Sequence, residues 1–262
     1  METVINKKRD YTLSSVRNAL RIMHCFSMDE PELKLTDISK RLNLGKSTVS
    51  RMMATLQQEG FIEKNPDNQR FRLGLSILSL ASVCTSTYDI HQEAGPVLHE
   101  LTERTQETSH LAILDQHEVI YLQKVESKHQ VRAFTHIGKR NPAYCTSSGK
   151  ILLAYHDHEE RLLQAVEGDG FVAHTKNTIT TVDELRDELR DVRAKGYAIS
   201  LEELSEGVAT IAAPIRDYTG KVIASVNLIG PVQRVNQYTI HTHTRRVVDA
   251  GKQISRKLGF RQ

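Results

Sequence analysis

Three short stretches carry residues whose types and spacing could do chemistry. "LGKSTVSRMMATL", 44 to 56, contains Gly45-Lys46-Ser47, the tripeptide that closes the phosphate-binding loop of many nucleotide hydrolases. "CTSSGKILLA", 145 to 154, contains Ser147-x-x-Lys150, the spacing of a serine nucleophile and a lysine base, next to Cys145. The chain also has 12 histidines, with His241 and His243 two apart in "IHTHT" and His91, His99 and His110 scattered further up the chain, which raises metal ligation.

Each chemistry needs companions. A phosphate loop requires Gly five positions before its Gly-Lys-Ser, where Lys40 stands, and a strand before the loop, whereas residues 37 to 42 read as helix. A Ser-Lys hydrolase would also carry a later Lys-Thr-Gly, which is absent. Histidines at i and i+2 converge only on a strand, and "IHTHT" leads into a helix. The expectation is a protein without catalytic residues, metal or cofactor; a metal-responsive regulator and a Ser-Lys hydrolase stand as the alternatives.

The elements around the first stretch give it another use. Apolar residues recur with helical spacing from Ser14 or Ser15 through Val16, Ala19, Leu20, Met23 and Phe26. Thr36 is placed to cap a second helix that ends at Asn43 and is expected among the residues that contact DNA. A third helix begins at Lys46 or Ser47, turns Val49, Met52, Met53 and Leu56 inward, and presents Lys46, Ser47, Thr48, Ser50 and Arg51 on its other face. Short hydroxyls and long cations on one helix face suit phosphates and base edges in a major groove. After Gly60, "FIEKNPDNQRFRL" reads as two short strands, with Phe61, Phe71 and Leu73 apolar and a Pro-Asp-Asn turn between them. That order is a winged helix-turn-helix, and Lys64, Asn68, Gln69 and Arg70 on the wing are placed to meet the sugar-phosphate backbone.

Charge agrees. The formal net charge is +3, yet residues 1 to 85 hold 13 Lys/Arg against 9 Asp/Glu while residues 86 to 262 hold 22 against 23, so a polyanion partner belongs to the first third. Cys25, Cys84 and Cys145 are too few and too scattered for a disulfide framework or a Cys-x-x-Cys site. No apolar run approaches a membrane helix and the N-terminus lacks a signal-peptide core, so a cytoplasmic location is expected.

"LGLSILSLASVCTST", 73 to 87, reads as a further helix, with Leu75, Leu78 and Ala81 apolar, that joins two domains. Beyond it, a helix carrying Val97, Leu98 and Leu101 precedes strands "SHLAILD" and "VIYLQKV" and another near "VRAFTHI". Helices follow at 148 to 155 and 158 to 166, a charged helix runs from Thr181 or Asp183 to Gly196, strands follow at "YAIS", "ATIAAPIRD" and "KVIASVNLIG", and a helix from Gln237 to Leu258 closes the chain. An antiparallel sheet with helices against it makes this an α+β sensor domain. In "NPAYCTSSGKILLA", Asn141 and Pro142 delay the helix, and the free N–H groups at its start, by Ser147 and Ser148, suit a carboxylate. Plain capping by Ser147 or Ser148 is the other reading.

"ALRIMHCF", "LTDISKRLNLGKSTVSRMMATLQQEGFIEK" and "RFRLGLSILSLA", with "CTSSGKILLA", "LRDELRDVRAKGYAIS", "GVATIAAPIRD" and "VIASVNLIGP", resemble the IclR (isocitrate lyase regulator) family of bacterial transcription factors over nearly the whole chain. The resemblance implies a winged helix-turn-helix domain over 1 to 74, a linker helix over 75 to 87 that helps dimerisation, and a GAF-like effector-binding domain over 88 to 262. It implies that Ser147 and Ser148 bind the effector's acidic group and that Ser200, Thr210, Asn227 and Ile229 stand at other pocket positions. Family members that bind small oxo-acids often have an acidic residue, Cys, Ser and Ser at those four places, so their effectors do not transfer. Asn141 joins this set, while Val208 and Ala133 either line the apolar part of the pocket or belong to the core. Adjacent Glu202 and Glu203 are expected to support the pocket rim or to stay solvated. The expected partners are double-stranded operator DNA, a small carboxylate effector and further copies of the chain as a dimer or tetramer, because one recognition helix contacts few base pairs and a two-fold pair doubles the site.

Overall fold

Three helices and a hairpin form the first part of the chain: α1 (Ser14–Met23), α2 (Leu35–Leu42), α3 (Lys46–Gln58), β1 (Ile62–Lys64) and β2 (Phe71–Leu73), followed by α4 (Leu75–Ser86). The computed structural model describes residues 13–86, 89–128 and 135–261. The chain divides into two units, Met1–Thr87 and Tyr88–Gln262.

The break between α2 and α3 is set by Asn43, whose φ of 52° is left-handed and whose N–H turns back to the Lys40 carbonyl. Asn is among the few residues other than Gly that take this conformation readily. Ile22, Ile38, Val49, Met53, Ile62 and Phe71 bury together beneath the three helices. One expectation needs correction. Thr36 lies inside α2, which starts at Leu35 with Lys34 before it, and its hydroxyl meets Asp37 rather than a free helix N–H. On α1 the buried residue is Ile22, with Ala19, Met23 and Phe26 packed beside it, while Val16 and Leu20 are exposed. α1 carries two apolar stripes, and only the one facing α2 and α3 meets the core. In the hairpin, Ile62 and Phe71 face that core and Leu73 is 39% exposed.

The second unit contains α5 (Asp89–Thr105), β3 (Thr108–Asp115), β4 (Glu118–Val125), β5 (Arg140–Pro142), a 3-10 turn at Ala143–Cys145, α6 (Ser147–Ala154), α7 (Glu159–Asp169), α8 (Val182–Lys195), β6 (Ala198–Leu201), β7 (Val208–Arg216), β8 (Val222–Pro231) and α9 (Ile240–Lys257). Among the described residues six strands form one antiparallel sheet in the order β5-β4-β3-β8-β7-β6. Both faces are covered, which is why β7 and β8 read as almost continuous apolar runs. Leu111, Ile211, Ala213, Val226 and Leu228 face α5 and α9. Ala112, Tyr121 and Ala212 face α6 and α8.

Local signals place the ends of α8: the Thr181 hydroxyl accepts from Glu184 N–H at 3.2 Å, and Gly196 closes the helix at φ 77°. The strand expected near "VRAFTHI" falls mostly on residues 131 to 134, outside the described residues, and 135 to 137 are not strand. Among the described residues the sheet edge is β5, pairing Glu118 with Pro142 and Ile120 with Arg140. Proline is tolerated there because an edge strand leaves one side of its backbone unpaired.

Candidate functional site

On α3 the buried Val49 and Met53 fix the helix so that Lys46, Ser47, Thr48, Ser50 and Arg51 are all exposed on the opposite side. Neither Lys46 nor Arg51 pairs with a carboxylate among the described residues, so both charges are available to phosphate. The wing is tied down by Glu32, whose carboxylate accepts from Asn65 at 3.2 Å and from Asn68 at 2.7 Å and whose carbonyl accepts from Arg70 at 3.4 Å. Gln69, at φ 59°, donates to the Pro66 carbonyl at 2.8 Å. Asn68 and Gln69 therefore shape the wing with their side-chain amides, while Lys64 and Arg70 present its exposed charge.

The second unit holds a cavity of about 400 Å³. Sheet register builds its floor: Ser200 pairs with Thr210, Thr210 with Ile229 and Ile229 with Thr108, so one cross-strand row supplies four lining residues. Asn227, opposite both Ala212 and His110, sits one step along the same face. Asn141, Ser200, Val208, Thr210, Asn227 and Ile229 all line the cavity. Ala133 lies outside the described residues.

Ser147 and Ser148 are not among the residues that line the cavity. Both are fully buried, and the wall beside α6 is made by Cys145 and Thr146 instead. The helix cap is Thr146, whose hydroxyl accepts from Gly149 N–H at 3.1 Å. Ser148 supports the wall from behind, accepting from the Asn227 amide at 2.9 Å, and Ser147 Oγ has no hydrogen-bond partner. The N–H groups of Ser147 and Ser148 have no acceptor among the described residues, so the start of α6 keeps its capacity for an anion. Gly149 makes the arrangement possible, because a Cβ there would overlap the Ala143 backbone. Gly149→Ala should destabilise the second unit by about 1–3 kcal/mol through overpacking, read as a lowered Tm.

The sequence reading put Glu202 and Glu203 at the pocket rim or in solvent but gave Lys150, Glu188 and Glu107 no role at this cavity. Lys150, 2% exposed in the middle of α6, donates to Glu203 at 2.7 Å and to Glu188 at 3.0 Å. Glu203 lines the cavity, its other oxygen has no partner, and burial pushes its carboxyl above the usual range against the pull of Lys150. Glu202 does not line the cavity: at φ 56° it accepts from Gly207 N–H at 2.7 Å and closes the loop over 203 to 207, which does. Glu107, also lining, is held by Arg234 through two bonds of 2.5 and 2.8 Å. A lysine inside the apolar run "GKILLA" was the available signal for the first pair, but its partner lies 53 positions away.

Behind the floor, His110 is fully buried, with Nδ1 at 2.9 Å from the Asn227 amide oxygen and Nε2 at 2.8 Å from the Thr135 hydroxyl. With Asn227 donating to Ser148, the imidazole proton sits on Nδ1 and Nε2 accepts from Thr135. Burial lowers the His110 pKa to about 4, so the ring is neutral. Tyr121 lies 4.7 Å from the imidazole and accepts from Asn141 at 3.3 Å. Cys145, its thiol pushed up to about 12 by burial, is no thiolate nucleophile at neutral pH. Ser147 Oγ makes no hydrogen bond to Lys150, whose ammonium is committed to carboxylates, so the Ser-Lys pair is not assembled. His241 and His243 fall on α9, one exposed and one buried, and no three His, Cys, Asp or Glu side chains cluster among the described residues.

A winged helix-turn-helix on the same chain as a cavity-bearing α+β unit is the architecture of a DNA-binding transcription regulator. The chain belongs to the IclR family: residues 15–66 match the IclR helix-turn-helix domain and residues 83–256 match the bacterial transcriptional regulator IclR C-terminal domain. It is 36% identical to the HTH-type transcriptional regulator XynR of Escherichia coli over 95% of this chain and 98% of that one. The E. coli regulator KdgR is 32% identical over 97% and 95% of the two chains. Among solved structures, an IclR homolog from Microbacterium hydrocarbonoxydans, complexed with 4-hydroxybenzoate, superposes with a TM-score of 0.84 at 25% identity over 94% of this chain and 99% of that one. The relatives are named as regulators, and the protein is a transcription regulator rather than an enzyme.

Proposed function

We propose that the protein is an effector-controlled regulator: α3 and the wing, in residues 1 to 74, hold operator DNA, α4 links the domains, and the cavity within residues 88 to 262 takes a small organic carboxylate. The cavity carries the reading. Its volume suits a compact metabolite, and Asn141, Thr146, Ser200, Thr210 and Asn227 offer neutral hydrogen-bonding groups beside the α6 start and Lys139. The aromatic carboxylate bound by the Microbacterium homolog supports the same class of ligand. Glu203 on the wall, held by Lys150, opposes a carboxylate placed next to it.

A homodimer, alone or paired into a tetramer, is supported by apolar side chains left exposed in the first unit: Leu13, Val16 and Leu20 at α1, and Leu75, Leu78, Leu80 and Val83 on α4. Effector control then works by differential affinity for two arrangements of the paired recognition helices. No helix among the described residues is long and apolar enough to cross a membrane, in keeping with a cytoplasmic regulator.

The test combines a thermal-shift screen of small carboxylic acids with footprinting on operator DNA. Saturating effector should change the footprint or the affinity, and an unchanged footprint would remove the control. Arg51→Ala should weaken operator binding about tenfold and reduce the salt dependence by about one ion per subunit, with effector affinity unchanged. Loss of effector binding in that variant would sink the division of labour.

A further inference from the structure

The second unit contains another cavity, of about 600 Å³, that shares no lining residue with the one above. Its walls carry the cations Lys195, Arg216, Lys252, Arg256 and Arg261, and no Asp or Glu lines it among the described residues. Lys195 is neutralised by Asp191 at 2.8 Å. The other four pair with no carboxylate among the described residues. A basic helix end is ordinary where it complements the helix dipole. That accounts for Arg256 in the last turn of α9, but not for Lys252 a turn earlier, Arg216 on β7 or Arg261 beyond the helix. Lys252 and Arg256 stand at i and i+4 on one helix face, where like charges repel unless an anion lies between them.

Arg216 is fixed in place as well as charged. Its guanidinium lies 4.8 Å from the Tyr155 ring centroid and donates to the Gly220 carbonyl at 2.8 Å. Its backbone N–H donates to Ser255 Oγ at 2.8 Å, and that hydroxyl donates onward to Gly251. A positioned guanidinium with several further cations around a roomy hollow matches a multiply charged tetrahedral anion better than a single carboxylate. Phe260 adds an apolar wall for the body of the ligand. We propose that this cavity is a second ligand site, separate from the carboxylate cavity, and that it takes a phosphorylated small molecule through Arg216, Lys252, Arg256 and Arg261.

Titration calorimetry of the full chain with inorganic pyrophosphate, at about physiological salt where exposed charges are screened, tests it. One saturable site per chain is expected, weakened at least tenfold in the Lys252→Glu/Arg256→Glu double variant and unchanged in Arg51→Ala. Both substituted positions are exposed, and circular dichroism with retained operator binding checks the fold. Absence of binding to the wild type, equal binding to the double variant, or loss in Arg51→Ala would each overturn the assignment. Operator affinity that falls in the double variant, with no pyrophosphate binding to the wild type, would also overturn it and give the patch to the DNA backbone.

Discussion

Lys150→Met should destabilise the second unit by about 3–5 kcal/mol, the cost of leaving a buried carboxylate without its counter-ion. Lys150 is 2% exposed and holds Glu203, itself buried, at 2.7 Å. Glu188 is a third exposed and can turn to water, so the penalty falls on Glu203. In a unit of this size the expected fall in Tm is about 10 °C, followed in the transition of the second unit. Adding Glu203→Gln should restore more than half of the loss, because an amide is far cheaper to bury unpaired than a charge. A single variant as stable as wild type would show that the pair is solvated.

The second large effect is on pH. Burial keeps the His110 pKa near 4 in the folded protein, against 6.5 for the free side chain, so as pH falls the unfolded chain takes up a proton that the folded one refuses. The stability that neutral His110 contributes is therefore full above pH 6.5 and is lost as pH drops toward 4, with about 2 kcal/mol disappearing between pH 7 and 5. Lys124 reinforces the shift and Glu126 opposes it, but both act less than burial. Urea unfolding of wild type and His110→Gln over that interval isolates the contribution, since His156 and His243, also lowered by burial, are common to both. Parallel pH profiles for the two proteins would disprove it.

Much of the DNA-binding unit was legible because its signals are local. Asn43 stops α2, Gly60 follows α3 at φ 73°, and Val49, Met53 and Leu56 recur at helical spacing, so the exposed face of α3 could be read directly. On α1, spacing shows that Val16 and Leu20 share a face, but not whether a neighbour covers it. Thr36 was misplaced because a cap depends on where the backbone turns, and here it turns at Lys34.

By itself, the sequence determined the two kinds of unit, most of the helix and strand order without β5, the cationic face of α3 and most of the residues that floor the cavity, all of which follow from periodicity, local turn chemistry and family resemblance. Tertiary structure alone decided that Thr146 rather than Ser147 or Ser148 forms the wall, that Lys150 belongs to Glu203, that His110 meets Asn227, and that Arg216 of β7 joins three cations on and after α9 around a second hollow. Those pairings join residues 53 to 117 positions apart. A buried charge or polar group must find its partner wherever the chain brings one within hydrogen-bond distance, and that meeting leaves no spacing for a sequence to show.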